Sequence, residues 1–296
     1  MVQISVFAVL AGASAFLLPL VTAVEDVKYF ISFGDSYSQT GFDVTSTQPS
    51  AANPLGNPSL PGWTASGGLN WVGFMVTEFN TSLTLSYNFA YGGATVDADL
   101  VKPYADTVLS LIDQVEQFSN SIADHPAEAP WTSDNTIVGI WMGVNDVGNS
   151  YYLDGVSELL VKVVDAYFEQ LQILYDAGVR NFALLTMPPT NLTPLMIAQG
   201  EASNKLLVAA IDEFNELLQS KLEEFNDANE GVTSKITDTA AAFNKAVEDP
   251  EAYGALDATC YNSDGVSCLW FNDYHPAVAI EKLVAAQVAN DWDGFF

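Results

Sequence analysis

Three short runs of apolar, β-forming residues alternate with longer stretches of helical periodicity, and this alternation limits the possible folds more than any other feature. The runs cover residues 27–33, 136–142 and 181–187, and a weaker run covers residues 83–90. Continuous apolar runs of this length are typical of strands that are buried on both faces. They therefore predict the strands of a parallel sheet.

Helices are predicted between and after these strands. One apolar stripe runs along residues 156–175 and stops before Gly178, and glycine commonly follows the end of a helix. Shorter stripes lie in residues 108–115 and 207–218, and Pro276 suits the first turn of a last helix. Strands that alternate with helices are joined by right-handed crossovers. The predicted fold class is therefore α/β, a three-layer α/β/α sandwich with a central parallel sheet.

The composition favours a single secreted domain. The chain has 296 residues, of which 49% are hydrophobic, so it can bury a core without a metal or many disulfides. Residues 1–23 carry no charge and end in Val-Thr-Ala, a pattern typical of a cleaved signal peptide. An uncleaved membrane anchor is the alternative. We expect a signal peptide over residues 1–23, one domain over residues 24–296, and an extracellular location.

The charge of the chain limits its partners. There are 37 acidic and 9 basic side chains, which give a formal net charge of −28. Such a polyanion repels nucleic acid and anionic membranes, so we expect neither as a partner, and we expect a monomer. The two histidines lie far apart in the sequence, which leaves mainly carboxylates as ligands. No metal and no cofactor is expected.

Two further patterns fit the secretory route. Cys260 and Cys268 are the two cysteines of the chain and lie eight residues apart, which predicts a local disulfide. Asn80 and Asn191 each begin an Asn-X-Thr/Ser triplet and are predicted to be N-glycosylated.

A serine and a histidine are the candidate catalytic residues. Ser36 follows the first predicted strand in a Gly-Asp-Ser sequence, and ligands bind at the carboxyl ends of parallel strands. A serine hydroxyl needs a neighbouring base to become a nucleophile. His275 lies between the predicted disulfide and the last helix, whereas His125 lies in a Pro- and Ala-rich connection and is interpreted as an exposed loop residue. We therefore predict Ser36 as nucleophile and His275 as general base.

Ester hydrolysis also needs hydrogen-bond donors for the oxyanion of the tetrahedral intermediate. Gly92 or Gly93 follows the weaker strand, and a glycine lets its backbone N–H approach a substrate closely. Asn145 follows the strand at residues 136–142 and offers a side-chain amide. Both motifs are also common in ordinary turns.

Together, these residues resemble the four sequence blocks of the SGNH (GDSL-type) hydrolase family. Ser36, Gly93, Asn145 and His275 occur in the family's order, and the resemblance spans residues 33–276. It implies a flavodoxin-like fold in which Ser36 is both nucleophile and backbone donor. It further implies that Gly93 is a backbone donor, Asn145 a side-chain donor and His275 the base.

The third catalytic residue departs from the family pattern. The family usually has an aspartate three residues before the histidine, but that position is Asn272 in this chain, and Asp273 follows it. We expect Asp273 to orient His275. The alternatives are that Asn272 accepts the hydrogen bond of the imidazole, or that the site works as a Ser-His dyad.

Among SGNH enzymes the chain is most similar to secreted fungal acetylesterases that act on carbohydrates. The resemblance implies hydrolysis of acetyl esters of hemicellulose-derived carbohydrates through an acyl-enzyme. A GDSL-type lipase or broad acyl-ester hydrolase is one alternative, and a non-catalytic carbohydrate-binding protein with this fold is another. Residues 41–68 are expected to line the substrate cleft. Candidate residues for stacking on sugars are Tyr37, Trp63, Trp71, Trp141, Tyr151 and Trp270, of which Trp141 is expected in the core.

Overall fold

The computed structural model describes residue 1 and residues 27–296. The predicted signal peptide, apart from Met1, lies outside the described residues.

The described residues form a parallel sheet of five strands. The strands are β1 (Lys28–Gly34), β2 (Thr84–Asn88), β3 (Thr136–Trp141), β4 (Asn181–Leu185) and β5 (Thr233–Thr237), in the order β2-β1-β3-β4-β5. The strand order reverses between β1 and β3, and ligands of open α/β sheets bind where the order reverses. The nucleophile candidate therefore leaves the sheet at the expected position for a site.

Helices cover both faces of this sheet. They are α1 (Trp71–Thr77), α2 (Leu111–Ser119), α3 (Val144–Gly148), α4 (Val156–Asp176), α5 (Pro194–Ala198), α6 (Glu201–Ala228), α7 (Thr239–Glu248) and α8 (Val278–Asp291). Gly178 has a φ of +108° and follows the end of α4, as predicted. Pro276 does not begin the last helix, because α8 starts at Val278 after the extended residue Ala277. Within residues 27–296, no helix combines the length and apolar character needed to cross a bilayer.

The core consists of two apolar layers, one on each face of the sheet. Successive strand side chains point to opposite faces. Accordingly, Ile31 and Phe33 pack in the layer that contains residues of α2, α4 and α6. Phe30 packs instead in the layer that contains residues of α1, α7 and α8. The predicted three-layer α/β/α sandwich is confirmed.

Candidate active site

The nucleophile candidate lies in a tight turn directly after β1. The Asp35 carbonyl accepts hydrogen bonds from the backbone N–H groups of Ser38 and Gln39, at 3.1 and 2.9 Å. The Asp35 carboxylate accepts from the N–H of Tyr37 at 2.9 Å. Ser36, between these anchored residues, is partly exposed. The turn thus fixes the backbone on both sides of the serine and leaves its side chain accessible.

Gln114 on α2 holds the end of β1 in place. Its Oε1 accepts from the Gly34 N–H at 3.0 Å, and its Nε2 donates to the Gly34 carbonyl at 2.9 Å. Both residues are buried. The side chain therefore pairs with Gly34 much as a neighbouring strand would, two residues before Ser36.

His275 and Ser36 meet although they are 239 residues apart in the sequence. The distance from His275 Nε2 to Ser36 Oγ is 2.8 Å. The predicted disulfide between Cys260 and Cys268 is formed, and the N–H of Phe271 donates to the His275 carbonyl at 2.9 Å. The histidine loop is thus fastened by a covalent link and by its own backbone.

His125 lies elsewhere in the structure. Its Nδ1 is 2.7 Å from the Trp131 carbonyl, and the two rings are 4.0 Å apart. The residue is exposed and lines a groove with Arg180 rather than with Ser36. Its bond to the carbonyl gives it a structural role in the loop.

Asn272, rather than Asp273, contacts the catalytic imidazole. Asn272 Oδ1 is 3.0 Å from His275 Nδ1. The same oxygen accepts the backbone N–H groups of Tyr274 at 2.9 Å and of His275 at 2.8 Å. Asp273 is exposed, and its carbonyl accepts the N–H of Leu195. The expectation that Asp273 holds the ring is therefore corrected: the turn directs its side chain to solvent, and Asn272 takes that place.

The three contacts of Asn272 determine which nitrogen of His275 carries the proton. Two backbone N–H groups point at the same end of the Asn272 amide. That end must be the oxygen, because an NH₂ group there would place three hydrogen-bond donors against one another with no acceptor. An oxygen facing Nδ1 requires Nδ1 to be the donor. Nε2 is then unprotonated and can accept the hydroxyl proton of Ser36, which is the arrangement of a general base.

Burial keeps this imidazole neutral. Desolvation lowers the pKa of His275 to about 4, against a smaller opposing effect of the Asp273 charge. The amide of Asn272 carries no charge, so it does not stabilise the imidazolium as a carboxylate would. The base is consequently in its reactive form at neutral and mildly acidic pH.

Backbone donors for an oxyanion lie beside the serine. The Gly92 N–H donates to Gln39 Oε1 and is therefore occupied. The N–H groups of Ser36 and Gly93 have no acceptor among the described residues. Gly93 has a φ of +86°, a conformation that favours glycine. The hydrogen bonding thus supports Gly93, rather than Gly92, as the second backbone donor.

The side-chain donor candidate lies next to this loop. Asn145 Nδ2 donates one hydrogen to the Ala94 carbonyl at 2.9 Å, so its second hydrogen is available. The neighbouring Asp146 accepts the N–H of Val96 at 2.9 Å and ties the loop after Gly93 to α3. The loop and α3 are thereby held together at the site.

Two carboxyl groups are fully buried beneath the site. Desolvation raises the pKa of Asp35 and of Asp146 to about 7 in each case. In both residues Oδ1 accepts a backbone N–H, whereas Oδ2 has no partner among the described residues. Their main role is to anchor the segments that carry Ser36 and Asn145.

Most of the aromatic residues considered for sugar binding are core residues. The buried ones are Tyr37, Trp71, Trp141 and Trp270. Tyr151 is bonded through its hydroxyl to Ser203 at 2.7 Å. Trp63 alone in this set is strongly exposed, at 69%. It lies in the 41–68 segment, which contributes to a cleft beside the site as expected.

The sequence of residues 30–295 matches the sequence model of a family described as GDSL-like Lipase/Acylhydrolase. The chain belongs to this family. The predicted membership is thereby confirmed, and the enzyme is an acylhydrolase. Its Ser36–His275 pair lies where such a reaction needs a nucleophile and a base.

Curated relatives of this GDSL hydrolase include fungal enzymes. An acetylesterase of Thermothelomyces thermophilus is 59% identical over 286 residues, which cover 96% of this chain and 95% of the relative. An acetylesterase of Hypocrea jecorina is 31% identical over 186 residues, which cover 58% of this chain and 51% of that protein.

Solved structures show the same fold. Axe2, an acetylxylan esterase from Geobacillus stearothermophilus, superposes with a TM-score of 0.55 over 90% of this chain and 94% of its own. The sequence identity is 16%, so this likeness concerns the fold alone.

Gln39 and Gln114 are site residues of this GDSL hydrolase that the sequence motifs did not reveal. Gln39 Nε2 donates to the Trp63 carbonyl at 3.2 Å, while its Oε1 accepts from Gly92. A usable signal existed for Gln114 only, because it is a polar residue on the buried face of α2. Gln39 lies in a loop, where no periodicity marks its role.

Proposed function

We propose that this GDSL hydrolase is a secreted acetylesterase that removes acetyl groups from hemicellulose-derived carbohydrates. The single observation that carries the catalytic part is the 2.8 Å contact between Ser36 Oγ and the unprotonated Nε2 of His275. The acetyl specificity is supported by the 59% identity to a fungal acetylesterase. Secretion is supported by the uncharged residues 1–23.

The proposed reaction proceeds through an acetyl-enzyme. Ser36 Oγ attacks the ester carbonyl while Nε2 of His275 takes its proton, and the resulting oxyanion is bound by Ser36 N, Gly93 N and Asn145 Nδ2. Collapse of the intermediate breaks the bond to the sugar oxygen, which leaves as an alcohol with the proton from His275. Water, deprotonated by His275, then attacks acetyl-Ser36. Acetate leaves, and the proton returns to Ser36.

A fluorophosphonate probe tests the serine and its base. We expect labelling of Ser36 in the wild-type protein and in His125→Ala, because His125 does not contact the site. His275→Ala should reduce the labelling rate by on the order of 10²-fold or more, since the hydroxyl loses its base. The reverse pattern for the two histidine variants would refute the assignment.

The acyl specificity is tested with two chromogenic esters and a natural-type substrate. We expect a higher kcat/KM for 4-nitrophenyl acetate than for 4-nitrophenyl octanoate, and release of acetate from acetylated xylo-oligosaccharides. A preference for octanoate without acetate release would indicate the lipase alternative.

Secretion is tested by the amino-terminal sequence of protein collected from the medium. We expect this sequence to begin at Val24, and retention of the protein with the cells would contradict the proposed secretion.

A further inference from the structure

A cleft of about 910 Å³ opens beside the nucleophile and runs along α2. Its lining includes residues 41–45, Trp63, Tyr104 and the outer face of α2. The cleft reaches the site at Gly92, where an added methyl group would lie 3.8 Å from Ser36 Cβ. This α2 cleft is much larger than an acetyl group needs, so it has room for the alcohol part of a substrate.

Two large aromatic side chains stand open in this cleft. Trp63 is 69% exposed and Tyr104 is 79% exposed. Each ring packs against a glycine, Trp63 against Gly41 and Tyr104 against Gly93, so tightly that a Cβ on either glycine would overlap the ring. The rings are thus positioned by backbone and remain largely uncovered. Apolar surface held open in a concave site indicates a ligand that stacks on it.

The remaining lining contains apolar residues, among them Phe42, Phe89 and Leu109, and polar residues whose only charges are negative. Asp43, Asp113 and Glu116 contribute carboxylates, and Gln117 and Asn120 contribute amides, while the lining contains no lysine or arginine. The side chains of Glu116, Gln117 and Asn120 make no hydrogen bond within residues 27–296, so a long acyl chain would remove their water without replacing its hydrogen bonds. Anionic ligands would be repelled by the carboxylates. The lining therefore suits a neutral ligand that offers both apolar faces and hydroxyl groups.

We propose that the α2 cleft binds the saccharide chain that carries the acetyl ester, that Trp63 and Tyr104 are its stacking residues, and that it selects uncharged oligosaccharides over acidic ones. This inference rests on the proposed function and specifies its substrate class. Because Tyr104 packs on Gly93, a bound saccharide lies next to the oxyanion donors.

Direct binding tests the cleft without turnover. We expect Ser36→Ala protein to bind xylohexaose in isothermal titration calorimetry, and Ser36→Ala/Trp63→Ala to bind it roughly 10-fold more weakly. Trp63→Phe should restore part of the affinity, because a ring remains. Tyr261→Ala is the control, since Tyr261 is 58% exposed but does not line the cleft. Equal affinity with and without Trp63 would overturn the proposal.

The charge selection has its own measurement. A xylo-oligosaccharide that carries one glucuronyl group should bind about 5-fold more weakly than the neutral one at low salt, and the difference should shrink in 0.5 M NaCl, which screens the carboxylates. Tighter binding of the acidic sugar would contradict the inference.

Kinetics separate this inference from the proposed function. In Trp63→Ala and Tyr104→Leu, kcat/KM for acetylated xylo-oligosaccharides should fall about 10-fold more than kcat/KM for 4-nitrophenyl acetate. Equal losses on both substrates would show a merely structural role and refute the cleft assignment. Hydrolysis of 4-nitrophenyl acetate without any xylohexaose binding would refute saccharide binding in the α2 cleft but not the esterase activity. Trp63-dependent binding without any ester hydrolysis would refute the proposed function instead.

Discussion

At the scale of single residues, Asn272 determines how the catalytic base works. Replacement of a triad aspartate by asparagine is costly in a protease because the amide can favour the wrong tautomer of histidine. Here two backbone N–H groups fix the amide with its oxygen toward His275. The orientation of the ring is therefore preserved, and what is missing is the negative charge.

Replacing Asn272 by aspartate should move the pH dependence of catalysis. A carboxylate at this position raises the pKa of His275, which now lies at about 4, by roughly 1–3 units. Since the base acts in its neutral form, activity is lost as the pH falls through this pKa. In Asn272→Asp the acidic limb of kcat/KM should therefore shift to higher pH by about the same amount.

Asp273→Asn is the matched control for this measurement. The Asp273 charge raises the pKa of His275 from a distance, so its removal should shift the acidic limb slightly to lower pH. If Asn272→Asp left the profile unchanged and Asp273→Asn moved it strongly, the role assigned to Asn272 would be incorrect.

Sequence spacing could not choose between these two residues. Asn272 and Asp273 are adjacent, and both carry an oxygen that can accept from Nδ1. The choice depends on the backbone turn at residues 272–275, in which Asn272 Oδ1 caps two N–H groups. By contrast, the pairing of Ser36 with His275 was predictable because the chain has only two histidines.

At the scale of secondary structure, the strands β1 to β4 were predictable and the edge strand β5 was not. The strands β1, β3 and β4 consist of apolar runs in the middle of the sheet. The strand β5 has the sequence Thr-Ser-Lys-Ile-Thr and lies at the edge, where much of it is exposed. An edge strand with one open face lacks the continuous apolar run by which the others were identified.

The contact between α2 and β1 also belongs to this scale, and Gln114→Met tests it. The substitution leaves the buried N–H of Gly34 without its side-chain acceptor, which costs about 1–3 kcal/mol of unfolding free energy. It also removes the hydrogen bonds that hold the turn before Ser36. We therefore expect kcat to fall by more than the loss of folded protein accounts for. Thermal unfolding and 4-nitrophenyl acetate kinetics measure the two effects.

Gln172→Met supplies the comparison. Gln172 lies on α4 and donates to Asp176 of the same helix, away from the catalytic turn. This variant should keep wild-type kcat and nearly wild-type stability. Equal kinetics for Gln114→Met and Gln172→Met would show that α2 does not position the nucleophile.

At the scale of the whole molecule, the fold combines a strongly acidic chain with buried carboxyl groups. The formal net charge is −28, and burial raises the pKa of Asp35 and Asp146 to about 7 and also raises that of Glu281. These groups keep their protons in the folded state at pH values where the unfolded chain has lost them. His275 opposes this, because its pKa is lower in the folded state.

Stability should consequently rise on mild acidification. Between about pH 4.5 and 6.5 the folded state holds two more protons than the unfolded chain on Asp35 and Asp146, and one fewer on His275. The free energy of unfolding therefore falls with rising pH by roughly 1.4 kcal/mol per pH unit, and Glu281 adds to this slope. We expect the Tm at pH 5 to exceed that at pH 7.5 by roughly 5 °C or more. Asp146→Asn should reduce the difference, whereas Asp106→Asn at the surface should not. A Tm that falls on acidification would contradict the expectation.

The link between Cys260 and Cys268 closes a short loop, with a sequence separation of eight, so it constrains the unfolded chain less than a link between distant residues would. In the folded protein its influence is local, on the segment that ends at His275. The redox conditions during production should therefore affect the yield of active enzyme more than the yield of folded enzyme. Protein made in a reducing cytoplasm should melt roughly 5 °C or more below the oxidised protein and should also turn over slowly, and mild oxidation should restore its kcat.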